Sequence, residues 1–339
     1  MPSNSPPAQS DTLDSLLQEW ADARGRTVVC VNTTPRAGLS ERHVVRTWSR
    51  LIPSGIPDAV DLIVNSTGGD AHSAFQIVEL IRRRMKDQKS ALTGVVPFRA
   101  ASAATLMCLG CDELMLDDLA RLGPLDAQIY EEAKGGAYKR VSALNPQEAI
   151  KQLNESAIAS MMATKNALVN DGVLAGEAYE IAKDLVIGLF STMYGQVSPE
   201  RLAEYSRILA IGREYATCLL RRHSKLSVAD QDIVVDKLVR GYPSHGYYID
   251  HLEAKDMKLK VIDIPSDMRL LATRLLAQLF VAPSDVTVVL HTRGKSRRQA
   301  KPSTGRGKVV RKPTRRRRAA PKAALVAART SQPTNGKGK

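Results

Sequence analysis

Ala59-Val-Asp-Leu-Ile-Val-Asn-Ser-Thr-Gly-Gly-Asp-Ala71 decides the fold. Residues 59–64 are an almost unbroken apolar run, the pattern of a strand buried on both faces. A glycine turn follows at 66–70. Residues 71–85 then carry Phe75, Val78, Ile81 and Met85 on one helical side. Strand, tight turn and helix recur immediately: 91–96 reads as a second strand, 101–110 as a second helix and 113–116 as a third strand. Strands separated by helices imply βαβ units and a mostly parallel sheet.

Further out on the N-terminal side, 27–31 reads as a short β-branched strand and 41–51 as a helix closed by Pro53 and Gly55. Residues 11–24 read as an amphipathic helix with Leu13, Leu16, Leu17 and Trp20 at helical spacing and Asp11 as its N-cap. Residues 1–10 are Pro/Ser/Asn-rich and expected to be disordered. Beyond residue 145 the pattern turns helical, at 146–170, 199–222 and 228–239, then at 250–254. A closing strand is expected at 261–264 and a last amphipathic helix at 267–280. The expected organisation is one α/β domain over 11–290, with a helical segment over about 146–240 and a basic, disordered tail over 291–339.

The net charge of +14 is concentrated in that tail. Residues 293–339 hold 17 Lys and Arg and no acid, so the rest of the chain has 32 basic and 35 acidic groups, a balance of −3. The body therefore gives no electrostatic reason to bind a polyanion. Within the tail, Arg315, Arg316, Arg317 and Arg318 form a block suited to phosphate neutralisation. Aromatic residues for base stacking are absent there, so any nucleic-acid contact is expected to be non-specific. Contact with anionic lipid, or simple solvation of the tail, are the alternatives.

No stretch is apolar over the roughly 18 residues of a spanning helix, and residues 1–10 lack the charged and apolar regions of a secretory signal. A cytoplasmic protein is expected. Four cysteines are too few for a disulfide scaffold. Cys108 and Cys111 form a C-x-x-C, but they sit in a run of small apolar residues, and no second ligand pair completes a zinc site. Neither a metal nor a cofactor is expected.

Two strand-to-helix junctions carry chemistry. In Ser66-Thr-Gly-Gly-Asp70, adjacent glycines let backbone N–H groups face open space at the start of a helix. In Phe98-Arg-Ala-Ala-Ser-Ala-Ala-Thr105, Ser102 lies at a helix N-terminus among small neighbours, where a nucleophilic hydroxyl is accessible and the Ala103 N–H is free. Each junction alone reads better as a plain glycine turn or an N-cap serine; together they point to a site. The two lie 34 residues apart, at the edge where open α/β sheets place ligands. Gly68 and Gly69 are thus expected on one side of an oxyanion hole and Ala103 on the other.

These junctions, followed by Cys111-Asp-Glu-Leu-Met-Leu116, Leu122-Gly-Pro-Leu-Asp126 and Tyr242-Pro-Ser-His-Gly-Tyr-Tyr-Ile249, resemble the Clp/crotonase-fold serine peptidases, and among them the serine dehydrogenase proteinase family, related to Clp protease and signal peptide peptidase A. The resemblance spans roughly residues 25–265. It implies a serine peptidase that assembles as a homo-oligomer on peptide or protein substrates. It also implies a triad of Ser102, Asp126 and His245 in the order Ser-Asp-His. Ala104 and Thr67 stand where the family usually has glycine and proline. Signal peptide peptidases use a Ser-Lys dyad, which makes Lys139 the alternative base, with Lys134 nearby. Two other readings of the same fold are a catalytically inactive scaffold and an acyl-CoA-binding crotonase-like protein.

Overall fold

The computed structural model describes residues 11–34, 37–52, 57–86, 91–126, 128–132 and 138–291. In chain order the elements are α1 (Leu13–Arg24), β1 (Thr27–Asn32), α2 (Glu41–Leu51), β2 (Val60–Asn65), α3 (Ala71–Arg84), β3 (Leu92–Val96), β4 (Arg99–Ala100), α4 (Ala103–Leu109), β5 (Glu113–Leu116) and β6 (Arg121–Leu122). There follow β7 (Gln128–Glu132), β8 (Tyr138–Ser142), α5 (Asn145–Asn170), α6 (Ala175–Tyr194), α7 (Pro199–His223), α8 (Val228–Arg240), α9 (His251–Asp256), β9 (Val261–Asp263), α10 (Arg269–Val281) and β10 (Asp285–Val289).

Six strands form one sheet in the order β10-β1-β2-β3-β5-β9. Every neighbouring pair is parallel except β10 on β1. Successive side chains of a strand point to opposite faces, and β1 shows the consequence. Val28 and Cys30 pack with Leu16, Leu17 and Trp20 of α1 and Leu275 of α10, while Val29 and Val31 join the larger core with Ile77, Val78, Leu106, Leu219 and Leu238. Helices therefore cover both faces, which is why the central strands are mostly apolar. The α/β class and parallel sheet expected from the sequence are the observed ones.

Several local expectations are corrected. Thr12, not Asp11, caps α1: its Oγ1 accepts the Ser15 N–H at 3.2 Å, and Ser15 Oγ accepts the Thr12 N–H at 3.0 Å. Asp11 instead pairs with Arg274 at 2.6 Å. The second helix of the βαβ run starts at Ala103 rather than 101, because the preceding residue has a positive φ. Helix α6 is added between two expected helices, and β10 is added before the tail. Lys139, the alternative base, lies in β8, paired in register with Glu131 of β7. The expectations for residues 1–10, Lys134, and 292–339, including Arg315, Arg316, Arg317 and Arg318, lie outside the described residues.

Candidate active site

Three short pairings join the two junctions into one edge. The Ser66 N–H donates to the Arg99 carbonyl at 2.9 Å, and the Ala101 N–H donates to the Ser66 carbonyl at 3.1 Å. Strand β4 pairs in parallel with β6, and Leu122 of β6 exchanges backbone hydrogen bonds with Ile249 at 2.9 and 3.1 Å. This last contact brings the segment that carries His245 to the edge that carries Ser102. Thr105 locks the bend. Its hydroxyl lies 2.8 Å from the Ala100 carbonyl and 2.7 Å from the Gly123 carbonyl, and it accepts the Gly123 N–H at 3.2 Å.

Ser102 has φ 53° and ψ −123°. A positive φ is unfavourable for any residue with a Cβ and costs of order 1–3 kcal/mol. The packed residues around it hold that strain: Ala103 and Ala104 are buried, so the Ala104 methyl is absorbed into the core. Ser102 lines a cleft of about 510 Å³ with Thr67, Gly68, Gly69, Asp70 and His72 on one side. Leu39, Leu106, Leu125, Ile208 and Ile211 supply its apolar wall.

The glycines have φ of 97° at Gly68 and 141° at Gly69, a region that L side chains rarely enter. Their amides are not equivalent. The Gly68 N–H already donates to Ser66 Oγ at 3.0 Å. Those of Gly69 and Ala103 have no partner among the described residues. Gly68 instead acts through closeness, because its Cα packs against Ala101 and Ser102.

His245 Nδ1 makes a short contact with Asp126 Oδ1 and lies 2.9 Å from the Asp126 carbonyl oxygen. With both partners acceptors, the proton belongs on Nδ1, which leaves Nε2 as the lone-pair nitrogen. Asp126 is buried, and its second carboxylate oxygen accepts from Ser142 Oγ at 2.7 Å. Ser142 had no signal in the sequence; its role depends on β8 returning beside Asp126. No hydrogen bond links His245 to Ser102, and His245 is not among the residues lining the cleft. Leu125, next to Asp126, does line it.

The remaining histidines are partnered elsewhere or stand apart. His72, at the cleft wall, lies 2.6 Å from the Tyr215 hydroxyl through Nδ1. His223 contacts Glu79 at 3.3 Å. Cys108 and Cys111 are buried free thiols, and burial pushes the Cys108 thiol up to about 12. No group of residues able to hold a metal occurs among the described residues. None of the described helices is long and apolar enough to cross a membrane.

Fold and cleft together are those of an α/β protein with a strained serine at the edge of a mostly parallel sheet. Residues 40–205 match the family of ClpP-like SDH-type serine proteinases, the family that the sequence motifs resemble. Two uncharacterized proteins of Methanocaldococcus jannaschii are similar to this chain. MJ1495 is 31% identical over 150 residues, covering 43% of this chain and 49% of the relative. MJ0137 is 28% identical over 154 residues, covering 45% and 46%. The chain thus spans about half the length of these curated relatives.

Proposed function

We propose that the protein is a serine peptidase that cleaves peptide bonds through an acyl-enzyme on Ser102. The observation that carries this reading is the strained Ser102 at the cleft, beside the unpartnered amides of Gly69 and Ala103. In the proposed reaction Ser102 Oγ attacks the scissile carbonyl carbon, and His245 Nε2 takes the hydroxyl proton. The amides of Gly69 and Ala103 hold the tetrahedral oxyanion, with Gly68 shaping the loop. The proton passes from His245 to the leaving amine as the C–N bond breaks. Water, deprotonated by the same imidazole, then hydrolyses the ester and restores Ser102. Asp126 orients the imidazole and stabilises its charged form. Closure of the Ser102–His245 hydrogen bond accompanies substrate binding, as catalytic hydrogen bonds tighten in the occupied complex.

The test is labelling by a fluorophosphonate, followed by mass spectrometry of the modified peptide. Labelling at Ser102 that is lost in Ser102→Ala and His245→Ala supports the reading. A folded protein that stays unlabelled overturns it and favours the inactive scaffold. Loss of labelling in Lys139→Ala with retention in His245→Ala transfers the base to Lys139. Stabilisation by an acyl-CoA would favour the crotonase-like reading, because a ligand raises the melting temperature of the state it binds.

The proposal extends to partners. Helices α5 and α6 expose Ile158, Met162, Ile181, Leu185, Ile187 and Leu189, an apolar surface suited to a second copy of this chain. Light scattering of the wild type against Leu185→Glu tests that association. The basic tail is proposed to hold nucleic acid non-specifically through Arg315, Arg316, Arg317 and Arg318. Binding that weakens steeply with salt and vanishes on deletion of 293–339 is expected.

A further inference from the structure

The parallel pairing of β4 with β6 puts Arg99 directly opposite Arg121. Like charges at paired positions of a sheet repel each other. Both side chains are partly buried. Burial, followed by the neighbouring Arg121 charge, lowers the Arg99 pKa. Several other partly buried arginines meet an acid: Arg24 and Arg26 meet Asp61, and Arg82 meets Asp112, while Arg84 donates to the Ile52 carbonyl. Arg99 and Arg121 have none, and neither guanidinium donates a hydrogen bond to a described residue. Arg99 Nε is fully buried and still unpartnered.

Both guanidiniums lie close to aromatic rings while making no hydrogen bond to a described residue. The Arg121 guanidinium lies 4.3 Å from the centre of the Phe98 ring and 4.2 Å from that of Tyr248, between the two. Arg99 lies 5.7 Å from the Phe98 centre. Phe280 packs on Phe98 at 5.0 Å. Stacking covers the face of a guanidinium and leaves its in-plane N–H donors for a forked, two-oxygen partner. Two guanidiniums with unused N–H donors on neighbouring strands are a donor set suited to an oxyanion.

We propose that Arg99 and Arg121 form a binding site for an oxyanion, a carboxylate or a phosphate, next to the segment that carries His245. Arg99 is three residues before Ser102, and Tyr248 is three residues after His245. A ligand on this pair therefore ties β4 to the Tyr242–Ile249 segment. This site stands independently of the chemistry assigned to Ser102.

The test uses the full-length protein in low-salt buffer. Sodium phosphate and sodium succinate are titrated separately against sodium chloride of equal ionic strength, and the melting temperature is followed. Saturable stabilisation of the wild type by phosphate or succinate beyond chloride is expected. The affinity falls by about tenfold or more in Arg99→Gln and in Arg121→Gln, the scale of one charge-assisted forked contact. Response to phosphate alone assigns a phosphate ligand, response to succinate alone a carboxylate, and response to both a general oxyanion site. The tail is present in every sample, so its own anion binding cancels between wild type and variants. A second measurement needs no variant: the active anion should protect Arg99 and Arg121 from phenylglyoxal beyond what chloride of equal ionic strength does, read peptide by peptide. Equal responses in wild type and variants, or equal modification of Arg99 and Arg121 with and without anion, overturn the proposal. The same titration in Ser102→Ala should match the wild type, which separates this result from the fate of the peptidase reading.

Discussion

A Cβ on Gly68 would stand 2.8 Å from the Cβ of Ser102 and 2.7 Å from the Ala101 carbonyl oxygen. The glycine loop and the serine bend are thus pressed together with no room for a methyl group. Gly68→Ala would meet this overlap and a φ of 97° at once. We expect a loss of about 1–3 kcal/mol in stability from the backbone strain alone, read as a lower urea midpoint. Fluorophosphonate labelling should fall by more than the folded fraction does, because the Ala101–Ser102 bend must move to relieve the clash.

Ser102 itself carries strain that a glycine would release. At φ 53° the residue occupies conformational space open to glycine at little cost. Ser102→Gly should therefore unfold at a higher urea concentration than Ser102→Ala, by about 1 kcal/mol, with both unlabelled. Equal stability of the two variants would show that the bend is not strained.

Ser142 is expected to act on the reaction without touching substrate. Its hydroxyl holds one Asp126 oxygen, while His245 holds the other. Ser142→Ala frees the carboxylate to rotate and loses the charge-assisted bond, worth about 1.5–3 kcal/mol. The effect should appear as a lower kcat with little change in KM. Ser142→Thr, which keeps the hydroxyl, should recover most of the rate. A purely structural role would lower the melting temperature and leave kcat per folded molecule unchanged.

What the sequence made legible follows the range of the forces involved. The βαβ run from Ala59 to Leu116 is written in local periodicity, so strands β2, β3 and β5 fall within about one residue of their expected places. The Gly68-Gly69 and Ser102 junctions are local too, since each needs only small residues between a strand and a helix. His245 and Asp126 lie 119 residues apart. No periodicity connects them, and only the ordered motifs point to both. Strand β10 carries little sequence signal, because five residues, Asp285–Val289, resemble any short β-branched linker until β1 offers its open edge. Nor does any pattern announce Arg99 opposite Arg121. Register across β4 and β6 is set by the long-range return of the chain, and two isolated arginines in a sequence look like surface charges.

Asp61 is expected to be the most sensitive polar residue of the core. It is fully buried in β2 and accepts from Trp20 Nε1 at 3.0 Å, Arg24 Nε at 2.9 Å and Arg26 Nη1 at 3.2 Å. It therefore fastens α1 and the start of β1 to the sheet. Asp61→Ala removes the charge both arginines face and leaves a buried indole N–H unpaired. Breaking a buried pair on one side costs about 3–5 kcal/mol. The arginines retain some solvent access, so we expect the lower end of that range, read as a drop in urea midpoint. Asp61→Asn keeps an acceptor for Trp20 and should lose less.

Acid should weaken the fold in two steps that meet at Glu79 and His223. Burial, helped by Arg82, lowers the His223 pKa below its ordinary value, against the raising effect of Glu79. The unfolded chain therefore takes a proton at His223 before the folded one does, and stability falls as pH drops below about 6.5. Burial raises the Glu79 pKa, but hydrogen bonds from His223 and Arg222 outweigh it and leave the carboxyl low. Its contribution is present above about 4.3 and is lost as pH falls through the folded value. Melting temperature should be level above neutrality, then decline in the histidine window and again in the carboxylate window. His223→Gln should flatten the first decline, since glutamine does not titrate there. Glu79→Gln should steepen it, because the carboxylate that holds His223 up through a hydrogen bond is then gone and the imidazole resists protonation further. A first decline that is the same in wild type and both variants would assign it to other groups.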